Sequence, residues 1–73
     1  MAQDAVILVY STSHAIKIEK ALKAAGVACR MIPVPRHLSS DCGVCVRIPA
    51  ACVEETRRLL DANHIEVQGI IPL

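Results

Sequence analysis

Apolar residues run without a break from Ala5 to Tyr10. A continuous run of this length, rather than strict alternation, predicts a central strand covered on both faces. Ser11, Thr12 and Ser13 follow, and any of these hydroxyls can accept a backbone N–H at a helix start. From there Ala15, Ile18, Leu22 and Ala25 recur at helical spacing, while Lys17, Glu19, Lys20 and Lys23 fall mainly on other faces. Gly26 supplies the left-handed stop, and the lysines suit the negative end of the helix dipole. Val27 to Ile32 predicts a second strand ended by Pro33, and Pro33-Val34-Pro35 is stiff and extended. Arg36 to Asp41 has no periodicity and carries turn formers, so it reads as a loop. Gly43 to Ile48 then alternates, with Val44, Val46 and Ile48 on one face and Cys45 and Arg47 on the other. Pro49 opens a second helix with Val53, Thr56, Leu59 and Leu60 inward, Glu54 and Arg58 paired outside, and Asn63 as its stop. Ile65 to Ile71 is the last strand, Ile65 and Val67 opposed to Glu66 and Gln68.

The resulting order is βαββαβ, one domain over residues 1–73. Right-handed crossovers lead most simply to an α+β, ferredoxin-like sandwich: an antiparallel sheet of order 4-1-3-2 with both helices on one face. The other face is left open, and Ile7 and Val9 or their neighbours, Cys45, Arg47, Glu66 and Gln68 are expected on it. Composition sharpens this picture. The chain has 73 residues, 53% of them hydrophobic, with Tyr10 as its single aromatic. Its core must be tiled from Val, Ile, Leu and Ala. A chain this short hides only about 60% of its unfolded surface, so surplus apolar area points to a homodimer through the open sheet face.

Charge removes several classes. Eight basic and seven acidic residues leave a net charge of +1. That balance offers no electrostatic footprint for nucleic acid, and aromatic stacking platforms are missing. No apolar run approaches the roughly 20 residues of a membrane span. Met1-Ala2-Gln3-Asp4 lacks the features of a signal peptide, so a cytoplasmic protein is expected. In that reducing setting Cys29, Cys42, Cys45 and Cys52 read as thiols used for packing, metal or redox chemistry rather than as disulfides.

The predicted topology brings one corner together. The end of the first strand lies beside the start of the third, so Ser11, Thr12, Ser13 and His14 approach Cys42 and Gly43. The first helix begins at the same corner, with unpaired N–H groups and a partial positive charge. A thiol there is stabilised as thiolate, and Arg36, His14 or His37 can add to the effect. Gly43 lets a ligand or another backbone come close. The competing reading is an inert loop-edge cysteine among solvated histidines. The long polar loop in an otherwise compact chain favours function.

The other candidates are weaker. Cys42-Gly43-Val44-Cys45 has C-x-x-C spacing, but in an extended strand that segment spans about 10 Å with side chains on opposite faces. A disulfide needs Cα atoms within about 7 Å. Cys29 and Cys52 read as small core hydrophobes, and His64 as a group capping a helix end. No zinc-ligand spacing, catalytic triad, carboxylate pair or phosphate loop is present, and no metal or cofactor is expected.

Ser11-Thr12-Ser13-His14-Ala15, Ile32-Pro33-Val34-Pro35-Arg36 and Ser39-Ser40-Asp41-Cys42-Gly43 resemble the selenium/sulfur carrier protein-like family over nearly the whole chain. The resemblance implies that Cys42 carries sulfur or selenium as a persulfide or selenosulfide, between donor and acceptor proteins. It implies a carrier rather than an enzyme. Cys45 stands where relatives are expected to hold an apolar residue, which leaves room for a second, resolving thiol. Two other classes stay open: a metallochaperone-like module, and a domain that binds partners through the open sheet. Against the first, the place between strand one and helix one holds Ser11-Thr12-Ser13-His14 rather than a cysteine pair.

Overall fold

The computed structural model describes residues 3–38 and 42–73. Ser39, Ser40 and Asp41, part of the segment that carries the family resemblance, lie outside the described residues, as do Met1 and Ala2. The elements are β1 (Asp4–Leu8), α1 (Thr12–Ala24), β2 (Arg30–Pro33), β3 (Val44–Pro49), a 3-10 turn (Ala50–Cys52), α2 (Val53–Ala62) and β4 (Gly69–Pro72). The sheet has four strands in the order β2-β3-β1-β4, and every pairing is antiparallel. This is the expected 4-1-3-2 order read from the opposite edge.

Side-chain alternation sorts the sheet into two layers. Ala5, Ile7 and Val9 join Val46 and Ile48 against Ala15, Ile18 and Leu22 of α1 and Leu60 of α2. Both helices therefore cover one face. Ile7 and Val9 belong to this covered side, so it is their neighbours Val6 and Leu8 that occupy the other. Cys45 lies with Val6 and Leu8 as expected, but that face is not bare. Ile32, Val34, Leu38 and Ile71 pack over it, and Val6 and Cys45 are wholly buried. Arg47 stands exposed beside them, its Nε donating to Asp4 Oδ2 at 3.1 Å and its Nη2 completing a fork on the same oxygen. The register Asp4↔Pro49 and Val6↔Arg47 across β1 and β3 brings this pair together.

Several boundaries differ from the sequence reading, each for a local reason. β1 ends at Leu8 because its neighbour β4 pairs no further than Gly69 opposite Leu8. β2 starts at Arg30, since Val27 is still held by the preceding helix through its N–H to Leu22 O at 2.8 Å. Pro33 is the last residue of β2 rather than the first beyond it, a place an edge strand allows. Pro49 closes β3, and a 3-10 turn intervenes before α2 begins at Val53. β4 is confined to Gly69–Pro72. Ile65 and Val67 do alternate with exposed Glu66 and Gln68, but they pack on the helix-side core outside the paired strand. Glu66 thus lies on the helix side, lining grooves there rather than the open sheet face. Among the described residues the ion pairs are Glu19–Lys23 and Asp4–Arg47, and Glu54–Arg58 is not one.

The two helices stop in the same way. Gly26 follows α1 at φ 77°, with the N–H of Val27 reaching Leu22 O at 2.8 Å. His64 follows α2 at φ 54°, with the N–H of Ile65 reaching Leu60 O at 2.9 Å. Asn63 reinforces the second end by donating from Nδ2 to Leu59 O at 2.8 Å. A residue with a Cβ costs about 1 kcal/mol in this left-handed conformation, which glycine adopts freely.

Candidate functional site around Cys42

Cys42 precedes β3, and its neighbour Gly43 extends the β2–β3 ladder by accepting the N–H of Val34 at 3.1 Å. α1 begins directly after β1, the strand beside β3, so the helix start and Cys42 share one end of the sheet. Ser11 is the N-cap, in extended conformation, with its Oγ accepting the His14 N–H at 3.3 Å. Thr12 is therefore the first helical residue, and its Oγ1 lies 3.7 Å from Cys42 Sγ. Either atom can donate in that contact. The sulfur thus sits beside the N-terminal, positive end of α1.

Cys42 is only 8% exposed and packs with the helix-side core. The sequence reading puts Cys42 at the corner where α1 begins; the structure brings Thr12 to it there and leaves the thiol buried. Gly43 is exposed, and a Cβ built there meets nothing within 4 Å, so among the described residues nothing requires glycine on grounds of space. Arg36 and His37 are exposed on a turn closed by the Leu38 N–H bonding to Pro35 O at 3.0 Å.

His14 is drawn elsewhere. Its Nδ1 lies 2.7 Å from Ser11 Oγ, and its ring meets Tyr10 edge-on at 6.2 Å between centroids. From there it lines an open groove between the flank of α1 and the end of α2, with Lys17, Lys20, Asn63, His64 and Glu66. The sequence reading assigns His64 only a capping role and gives Lys17 and Lys20 none. The available signal was a histidine immediately after Asn63, where a helix stop favours glycine.

Of the remaining thiols, Cys45 lies across the sheet, while Cys29 and Cys52 pack at the edges of the helix-side core. Cys45 belongs to the layer opposite Cys42, is fully buried, and its Sγ is 4.0 Å from Pro33 O. Burial pushes its pKa up, with a smaller contribution from Cys42. Cys29 is half-buried just before β2, its Sγ directed to Glu19 O at 3.8 Å. Burial, then the charge of Glu19, raises its pKa against the opposing pull of Lys23. Cys52 ends the 3-10 turn after β3, at the far end of the sheet from Cys42. Among the described residues no three His, Cys, Asp or Glu side chains converge as metal ligands, and no helix is long and apolar enough to cross a membrane.

Comparison with known proteins adds a family. No solved structure matches the chain. A curated relative, "Uncharacterized protein YtiA" of Escherichia coli (strain K12), is 36% identical over 53 residues, which is 73% of this chain and 62% of the relative. The chain therefore spans less than two thirds of that relative's length. Residues 4–72 match the family model described as "Putative Se/S carrier protein-like". With nearly its whole length matched, the chain belongs to this family.

Proposed function

We propose that the protein carries sulfane sulfur, or selenium, on Cys42 between a donor and an acceptor protein. The observation that carries this reading is the 3.7 Å approach of Cys42 Sγ to the Thr12 hydroxyl at the start of α1. A hydroxyl and a helix N-terminus both stabilise negative charge on sulfur, first as thiolate and then as persulfide. In the loading step the Cys42 thiolate attacks the terminal sulfur of a donor cysteine persulfide. The donor's S–S bond breaks, a new S–S bond forms at Cys42, and the donor leaves as thiolate. No net oxidation or reduction is needed, and selenium follows the same course. The acceptor then repeats the exchange in its own favour.

At 8% exposure Cys42 meets a donor only when the surface around it shifts locally. That shielding suits a carrier, since a covered persulfide is protected from stray thiols between transfers. Arg36 and His37 stand on the loop leading to Cys42, where they are available to the partner. The order of elements, and two helices on one sheet face, support a ferredoxin-like assignment. A thiol carrier also belongs in a reducing compartment, consistent with the cytoplasm. The test is intact mass after incubation with a cysteine desulfurase and cysteine. The wild type gains one sulfur and Cys42→Ser gains none; equal gain in both would refute the assignment to Cys42.

A further inference from the structure

The two helix ends make a comparison within one molecule. Both stops need a left-handed residue, and the chain uses Gly26 at one and His64 at the other. His64 gains nothing for the stop itself, since the backbone bonds it permits are those Gly26 permits after α1. Its side chain lines a groove of about 720 Å³, facing residues that are far from it in sequence. Lys17 and Lys20 lie there one helical turn apart, a like-charged arrangement that mildly disfavours the isolated helix. Lys23, on the same helix, is paired with Glu19; Lys17 and Lys20 form no ion pair among the described residues. His14 is held between the Ser11 hydroxyl at Nδ1 and the Tyr10 ring, which leaves Nε2 as the ring nitrogen on offer. Glu66 is the one carboxylate lining the groove.

We propose that this groove is a binding site for a small anion with more than one negative charge, carried on phosphate or carboxylate groups. Lys17 and Lys20 supply charge, while His14 and His64 donate N–H bonds from opposite walls. Glu66 at the margin sets a limit on how far the anion extends. The groove is of the size small ligands occupy. The site lies on the flank of α1 away from the Thr12–Cys42 contact, and it does not rest on the carrier reading.

The test is an NMR titration of the ¹⁵N-labelled protein, and of Cys42→Ser alongside, with inorganic pyrophosphate and separately with citrate. Sodium chloride holds ionic strength constant throughout. Saturable shifts concentrated at residues 14–21 and 63–66 are expected in both proteins. Saturation by pyrophosphate alone identifies a phosphate ligand, by citrate alone a carboxylate ligand, and by both a site that reads charge. Lys17→Ala with Lys20→Ala weakens binding by about tenfold, the weight of two exposed charge contacts. His64→Gly raises the melting temperature, because the left-handed strain is relieved, and yet weakens binding by at least about threefold. Shifts no larger than chloride produces, or affinity undiminished in His64→Gly, would overturn the proposal. Failure of the wild type to load sulfur, with anion binding intact, would instead count against the carrier reading alone.

Discussion

Thr56 is the buried polar residue whose hydroxyl has no partner among the described residues. It faces the core from α2, where its methyl packs well and its oxygen loses water without compensation. An orphaned hydroxyl costs about 1 to 3 kcal/mol, whereas a methyl of the same shape costs nothing to bury. Thr56→Val is therefore expected to stabilise the protein by about 1 kcal/mol, read as a higher urea midpoint with an unchanged slope. A loss of stability would mean that the hydroxyl is satisfied in solution, by water or by the carbonyl one turn earlier. The inward position of Thr56 was legible from helical periodicity, because Val53, Thr56 and Leu60 recur at the right spacing. Its missing partner was not, since only the packed core decides what an oxygen meets.

At the scale of elements, β3 governs the thiols. Its alternation puts Val46 and Ile48 under the helices and Cys45 on the opposite layer, and this was readable from a period of two. The same period argued that Cys42 and Cys45 do not close a disulfide, and the two residues do lie in different layers. Strand ends were less legible. Ile65 to Gln68 alternates like a strand, yet the pattern records packing on the helix-side core rather than pairing with β1. A sequence period reports which side is buried, not which backbone carries the ladder. Burial of Cys45 has a consequence for stability at alkaline pH. Its thiol keeps its proton in the folded chain above the ordinary value of 9.0, while the unfolded chain loses it there. The folded state then binds more protons than the unfolded state, so stability is full below about 9 and declines as pH rises from there through the folded value. Cys29 adds to the decline in the same direction. Urea midpoints taken from about pH 8 to about pH 10.5 are expected to fall less steeply in Cys45→Ala than in the wild type. Equal slopes would show that Cys45 ionises as easily folded as unfolded.

For the whole molecule, the open question is what meets the sheet face away from the helices. The two edge strands are poor templates for pairing, because β2 ends in Pro33 and β4 contains Pro72, and neither can donate a ladder N–H. Association through an added strand is thereby disfavoured, which leaves the face. Val6 and Cys45 are already sealed by the chain itself, but Ile32, Val34, Leu38 and Ile71 around them are only partly buried. Arg47 and Asp4 stand at the same surface as an exposed pair. A central apolar patch with a charged rim has the composition of a modest interface between identical subunits. We therefore expect a homodimer through this face, with Ile71 contributing from its β4 side. Sedimentation equilibrium should show a monomer–dimer equilibrium that Ile71→Lys shifts to monomer. A lysine at this half-buried position can lay its stem along the sheet and keep its charge in water, so the fold survives the change. Because Cys42 packs on the other layer, the monomeric variant should still accept sulfur. If the wild type sediments as a monomer at about 1 mM, the apolar face is covered well enough by Val34 and Leu38 of its own chain. The homodimer expectation would then be withdrawn, while the Cys42 corner and the basic groove, both on the helix side, would be unaffected.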